Sequence, residues 1–170
     1  MFEVGDAVVH PVRGAGIVTD VEKLQLQGNS KQYYRIDLLN PVRTNLMVPV
    51  KRAEEQGVRR AIRPSRLDQL WGVLRAEPGK LPADHQKREK FLICELQSGD
   101  LFQVAEAMRD LTWKQKRDGL TAGDRRIYRR GIKLLAGEIA AVQGTDPEDT
   151  ETRVELRLWD IMSQRHRENV

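Results

Sequence analysis

Three histidines and one cysteine are the residues best suited to catalysis or metal binding, and their spacing favours neither. His10, His85 and His166 lie in different segments, and no two are four residues apart, the spacing at which one helix face presents two zinc ligands. Cys94 is the only cysteine, which excludes an internal disulfide and a cysteine-based metal site. We therefore predict no catalytic residue, no metal and no cofactor.

Two further patterns resemble ligand sites but have simpler explanations. Gly14 and Gly16 could begin a phosphate loop, but no helix is predicted after them to supply an N-terminal dipole, so tight turns fit better. The acidic run at 146–151 lacks the spacing and the glycine of a calcium loop, whereas acidic residues are favourable at a helix start. Cys94 lies in an apolar helical run and is predicted to be a core residue. An enzyme is therefore not expected.

Residues 1–57 are predicted to form a small, strongly bent β-barrel. Apolar residues broken by glycine and proline over 4–21 are typical of short strands joined by tight turns. A polar loop at 25–32 leads to a further strand, and a turn at 40–43 leads to the strand that ends at Pro49. Barrels of this kind more often bind partners than catalyse reactions.

Residues 58–170 are predicted to be helical, with no further strand. Apolar residues recur at helical spacing, and Phe91 and Leu92 are expected to face the core. Thr121 and Asp124 form a capping box that begins a long helix. Trp71 and Trp113 lie on apolar helical faces and are predicted to be core residues. The fold class is therefore α+β and mainly α, with two domains.

Basic residues are concentrated in three stretches although the net charge is only +4. They lie at 51–66, 86–90 and 125–133. Such clusters suit a nucleic-acid duplex or a large assembly, and they can equally be solvated helix faces. No apolar run is long enough to span a bilayer, and no leader precedes Phe2, so we predict a cytoplasmic protein that does not bind membranes.

A set of short motifs occurs in a fixed order over residues 2–141. They are Val4-Gly5-Asp6 followed by Val8-Val9, Pro11, Gly14 and Gly16; Met47-Val48-Pro49; Gly57-Val58-Arg59; Leu74-Arg75-Ala76; and Gly119-Leu120-Thr121-Ala122-Gly123-Asp124. Together they resemble the CarD family of bacterial transcription regulators. Only the first part resembles the polymerase-interacting domain of transcription-repair coupling factors, and no helicase motif is present.

The resemblance implies a division of labour between the two parts of the chain. An N-terminal Tudor-like barrel would dock on the β-subunit of RNA polymerase, and the helical domain would bind promoter DNA at the upstream edge of the transcription bubble. Binding there would stabilise the open complex. We expect a monomer that takes no small-molecule substrate.

The docking surface for the polymerase is predicted around the end of the last barrel strand. Met47 and Pro49 lie there, and Leu24 and Ile36 are expected to extend the patch. Methionine suits an adaptable interface, although Met47 could instead fill the barrel core, since alternation alone does not show which face it occupies. Some family members have arginine where Leu24 and Met47 stand, so the resemblance implies a more apolar docking surface here.

The DNA surface is predicted on two helices. Lys87, Arg88 and Lys90 lie near the start of one helix, and Arg125 and Arg129 share a stripe on another, where a solvated face is an equally good explanation.

His85 stands where many family members have a tryptophan that acts as a wedge in the distorted minor groove. Histidine is smaller and more polar, so it should hold a distorted duplex less well. This departure leaves an alternative function open, a protein–protein adaptor without productive DNA binding. A third class, an RNA-binding module, would use the Tyr33-Tyr34 pair for stacking.

Overall fold

The N-terminal part is a five-stranded antiparallel sheet in the order β4-β3-β2-β1-β5. The computed structural model describes residues 1–39 and 42–170, so Asn40 and Pro41 of the predicted turn lie outside the described residues. The strands are β1 (Ala7–His10), β2 (Gly14–Leu26), β3 (Asn29–Leu38), β4 (Asn45–Pro49) and β5 (Arg59–Arg60). The sheet bends around its own apolar core and is called the barrel below. The predicted Tudor-like barrel is confirmed.

Two features of β2 allow the sheet to bend. The pairing with β3 shifts register between Val18 and Asp20, which leaves Thr19 as an extra residue in the longer strand. At Gly16 a Cβ atom would lie 2.7 Å from the carbonyl oxygen of Asp37, so only glycine permits this close approach.

The hairpin between β2 and β3 is tighter than the sequence predicts. Its turn consists of Gln27 and Gly28, both with positive φ, as in the two-residue turns that match the twist of a hairpin. Most of the predicted loop at 25–32 is therefore paired strand, with Gln25 opposite Ser30. Polar side chains misled the prediction because this end of the hairpin is exposed on both faces.

The barrel core is formed by one face of each strand. It contains mainly β-branched and aromatic residues: Phe2, Val8, Val18, Tyr34, Ile36, Leu38 and Val48, with Ala53 and Val58 from the segment after β4. The hydroxyl of Tyr34 accepts a hydrogen bond from the backbone N–H of Phe2, at 3.0 Å. Because Tyr34 is buried, the Tyr33-Tyr34 pair cannot serve as a stacking platform for RNA.

The helical part packs around a second apolar core. Its helices are α1 (Leu67–Arg75), α2 (His85–Gln97), α3 (Leu101–Arg117), α4 (Ala122–Gln143) and α5 (Pro147–Glu168). The predicted capping box at Thr121 and Asp124 is confirmed, and Gly119, with φ of +80°, follows the end of α3. Trp71 and Trp113 are partly buried against this core.

Two predicted core residues on α2 are instead exposed. Phe91 and Cys94 both face solvent. The buried stripe of α2 consists of Arg88, Leu92 and Leu96, which are spaced four residues apart. The apolar run around Leu92 is continuous rather than periodic, so it did not show which of its members face inward.

The barrel and the helical part are in direct contact. Helix α4 packs against β1 and β2. Strand β5, which the sequence did not predict, pairs with β1 and brings Arg59 opposite Val9. Arg59 forms an ion pair with Glu138 of α4. The sheet therefore continues past residue 57, where we placed the domain boundary.

Candidate binding surfaces

The outer face of the barrel carries the predicted docking residues apart from Ile36. Along β3 and β4, Arg35 lies opposite Met47 and Tyr33 lies opposite Pro49, and all of these side chains point away from the core. Met47 is 36% exposed. The alternative that Met47 fills the barrel core is therefore wrong. We call this surface, made of Leu24, Tyr33, Arg35, Met47 and Pro49, the outer barrel face.

Leu24 lies at the hairpin end of the outer barrel face. It is 38% exposed and pairs with Lys31, four residues before Arg35 along β3. Leu26, two residues nearer the turn, is exposed as well. Apolar side chains in these exposed strand positions make no contribution to the core, so they remain available to a partner.

The expectation that Ile36 extends this patch is wrong. Ile36 is 1% exposed and packs in the barrel core with Tyr34 and Leu38. Successive residues of a strand point to opposite faces, so Ile36 faces the opposite way from Arg35. The register of β3 against β4, which the sequence does not reveal, decides which set is inside.

Sequence reasoning missed Tyr33 and Arg35 as members of the outer barrel face. Arg35 forms an ion pair with Glu22, its neighbour on β2. Arg35 therefore places a positive charge beside Met47, and Glu22 lies one strand further away. The signal available in the sequence was the alternation of Tyr33, Arg35 and Asp37 with the apolar residues of β3.

The N-terminus of α2 presents the predicted His85, Lys87 and Lys90 to solvent. Asp84 caps the helix by accepting a hydrogen bond from the backbone N–H of Lys87, at 2.9 Å. Lys87, Lys90 and Cys94 follow one stripe on the side away from the core. The lysines are therefore placed to meet an extended anion along the helix.

A groove lies beside His85, and most of the charged residues that line it were not predicted. It runs between the start of α2 and the end of α3 and has a volume of about 710 Å³. Lys80, Lys114 and Arg117 line it together with His85, and so do Asp84, Asp110 and Asp118. These residues are far apart in sequence, so no local pattern pointed to them.

Arg88 is not placed to contact DNA, and this part of the predicted site is wrong. Its side chain is 3% exposed and forms two hydrogen bonds to the carboxylate of Asp124, at 2.8 and 3.0 Å. It also donates to the carbonyl oxygens of Pro82 and Ala83. Arg88 thus ties α2 to the start of α4.

The environment of Asp124 keeps this ion pair charged. Burial by itself would raise the pKa of Asp124, but hydrogen bonds from Arg88 and from Thr121 outweigh burial and lower the pKa below its ordinary value of 3.8. The carboxylate is therefore ionised at neutral pH. It also completes the capping box of α4 by accepting from the backbone N–H of Thr121.

The basic stripe of α4 is exposed along its first turns. Arg125 and Arg129, the predicted residues, share this face with Lys133, and Arg126 and Arg130 lie beside them. In the described part of the chain, none of these five cations forms an ion pair. Since Arg88 binds Asp124, the residue before Arg125, the stripe begins beside the point where α2 is anchored to α4.

Neither a metal cluster nor a membrane span is found in residues 1–39 and 42–170. No group of three or more His, Cys, Asp or Glu side chains is arranged to hold a metal ion. None of the described helices is long and apolar enough to cross a bilayer.

Comparison with known proteins decides the family. The CarD-like/TRCF RID domain matches residues 2–62, and the C-terminal domain of CarD matches residues 69–155, which is half of the chain. This chain belongs to the CarD family. A relative described as "Putative transcription factor YdeB" of Bacillus subtilis (strain 168) is 24% identical over 146 residues, covering 85% of this chain and 94% of its own length. CarD proteins are transcription regulators, and the RID domain implies an interaction with RNA polymerase.

Proposed function

We propose that this CarD protein binds the β-subunit of RNA polymerase through its outer barrel face and promoter DNA through α2 and α4, and so stabilises the open complex. The observation that carries this proposal is the separation of two exposed surfaces of different chemistry. Met47 and Leu24 are apolar and lie on the barrel, while the cations of α2 and α4 lie on the helical part. A protein of this kind acts in the cytoplasm.

The outer barrel face suits a protein partner. It has exposed apolar side chains around the Arg35–Glu22 ion pair, and an interface core of this composition excludes water while its charges fix the orientation. Strand β4 is at the edge of the sheet, so its free backbone groups can also pair with a strand of the partner.

The helical surfaces suit the phosphate backbone. Lys87 and Lys90 on α2 and Arg125 and Arg129 on α4 are exposed, and the Arg88–Asp124 ion pair holds the two helices together. Contacts to phosphates position a protein on a duplex without reading its sequence. Base contacts then fall to His85, which lies beside the groove at the start of α2.

Stabilisation of the open complex follows if the protein binds the open state more tightly than the closed state. Only that difference in binding free energy can shift the equilibrium. His85 would supply part of the difference by contacting bases that are unstacked in the open state alone. Because imidazole is smaller than indole, its contribution is smaller than that of a tryptophan wedge.

The half-life of open promoter complexes tests this function. Wild-type protein at saturation is expected to lengthen the half-life, and His85→Trp is expected to lengthen it about fivefold further, since added aromatic stacking contributes on the order of 1 kcal/mol. Gln164→Trp, at an exposed position on α5, is the matched control and should behave as wild type. An unchanged half-life with saturating wild-type protein would refute the proposal.

Binding to duplex DNA should depend on salt through the exposed cations. We expect Lys87→Ala with Lys90→Ala to reduce the slope of log K against log salt by about 0.9 for each phosphate that the variant no longer neutralises. Lys31→Ala, on the barrel, should leave the slope unchanged. Fluorescence anisotropy with a labelled duplex at several salt concentrations gives the slopes, and equal slopes for the double variant and wild type would exclude α2 from the DNA surface.

The second candidate function is a protein–protein adaptor without productive DNA binding. Two observations favour it: Arg88 is buried in an ion pair, and Phe91 is exposed on α2. In that case the helical part would bind another regulator through the side of α2 that carries Phe91. Salt-independent or absent DNA binding, together with retained polymerase binding, would support the adaptor.

A further inference from the structure

A buried carboxylate lies at the junction between the barrel and the helical part. Glu138 of α4 is 1% exposed, and its two oxygens accept hydrogen bonds from the two terminal nitrogens of Arg59, at 2.8 and 2.9 Å. One of these oxygens also accepts from the backbone N–H of Ile62, at 2.9 Å. We call these three groups the Arg59–Glu138 clasp.

The clasp holds the segment where the chain leaves the barrel. On one side of this segment, Arg59 and Arg60 form β5 and pair with β1, and the backbone N–H of Ala61 donates to the carbonyl of Ala7. On the other side, Ile62 packs against the core of the helical part. Glu138 therefore binds both the side chain of Arg59 in the strand and the backbone N–H of Ile62, two residues beyond the strand.

The geometry of the clasp restricts orientation as well as distance. A guanidinium that meets a carboxylate with two parallel hydrogen bonds fixes the plane and direction of both groups. Helix α4 lies close to the barrel at the same point, where a Cβ added to Gly137 would be 3.9 Å from the Cβ of Ala15. Removing either partner would leave an unpaired charge in this junction, which is unfavourable.

We infer that Arg59 and Glu138 are positioning residues that hold the barrel and the helical part in a single relative orientation. Neither residue lies on the outer barrel face or among the exposed cations of α2 and α4. Their effect on function is indirect, and that effect rests on the proposed function. A fixed orientation lets the two surfaces engage polymerase and DNA together without a further cost in conformational entropy.

The variant that tests the clasp is Arg59→Gln with Glu138→Gln. The double substitution removes both charges at once and leaves no unpaired buried charge. The matched control is Arg60→Gln, the next residue of β5, because the side chain of Arg60 contacts Asp6, the carbonyl of Met1 and the ring of Phe2, all within the barrel. A second variant, Arg59→Lys, keeps the positive charge but cannot form the two parallel hydrogen bonds. Because the side chain of Arg59 is 32% exposed, this substitution leaves the helical core intact.

The orientation can be measured in the free full-length protein. Cys94 is exposed on α2 and provides one spin-label site, and Ser30→Cys at the exposed β2–β3 hairpin provides the second. We expect one narrow distance distribution in the otherwise unchanged chain and in Arg60→Gln. We expect a distribution at least about twice as broad in both clasp variants, because flexibly linked modules sample many separations. A narrow, unshifted distribution in both clasp variants would overturn the inference.

A second measurement connects orientation to binding. The clasp variants should bind the isolated polymerase β lobe and a DNA duplex separately with wild-type affinity, while their affinity for a polymerase–promoter complex falls about tenfold. An equal reduction of affinity in all three assays would indicate general damage and would overturn the inference. If wild-type protein has no effect on open complexes, the proposed function fails, and the distance distributions still decide whether the clasp fixes orientation.

Discussion

Arg88→Ala is expected to destabilise the helical part by about 3 to 5 kcal/mol, the cost of leaving one partner of a buried ion pair uncompensated. The substitution removes both hydrogen bonds to Asp124 and both donors to the carbonyls of Pro82 and Ala83. Urea unfolding followed by circular dichroism measures the decrease in stability. Lys87→Ala, the neighbouring exposed cation, should change stability by less than about 0.5 kcal/mol.

The same ion pair makes a prediction about pH. The pKa of Asp124 is lowered in the folded protein, so its stabilising contribution is complete above the ordinary value of 3.8 and is lost as the pH falls through the lower folded value. The difference in unfolding free energy between wild type and Asp124→Asn should therefore be constant near neutral pH and shrink below about pH 3.8. A difference that stays constant into this acidic range would contradict the assignment.

Met47→Glu is expected to weaken binding to the polymerase β lobe by about 2 kcal/mol, or roughly thirtyfold, the effect typical of a residue at the centre of an interface. The new carboxylate would lie opposite Arg35, so the free barrel tolerates it, but docking would strip water from it. The affinity of the full-length protein for purified β lobe, from calorimetry or surface plasmon resonance, provides the measurement.

The control for this prediction is Val12→Glu. Val12 is as apolar as Met47 and more exposed, but it lies in the turn between β1 and β2, away from the outer barrel face. The Val12→Glu variant should bind the β lobe with the same affinity as the wild-type protein. Equal binding by Met47→Glu and Val12→Glu, with unchanged thermal midpoints, would move the docking surface elsewhere on the barrel.

Much of the candidate site could be predicted because it depends on local patterns. Met47 and Leu24 were predicted on an accessible strand surface, and Lys87 and Lys90 at the start of a helix, and all four are exposed in the structure. The errors share one cause. Ile36 is apolar like Met47 and Leu24, and Arg88 is basic like Lys87 and Lys90. What separates them from the correctly placed residues is the direction of the side chain.

The sequence by itself determined most of the local elements, the family and the absence of recognisable catalytic motifs. Glycines at turns, the capping box at Thr121 and the apolar periods depend on residues within a few positions of one another, so they can be read along the chain. Tertiary structure decided which side chains face a partner. Arg88 meets Asp124, 36 positions away, and Arg59 meets Glu138, 79 positions away, and no local rule connects residues so distant in sequence. Buried charges become stable only when the complete fold supplies the opposite charge, so their burial is a property of the packed molecule.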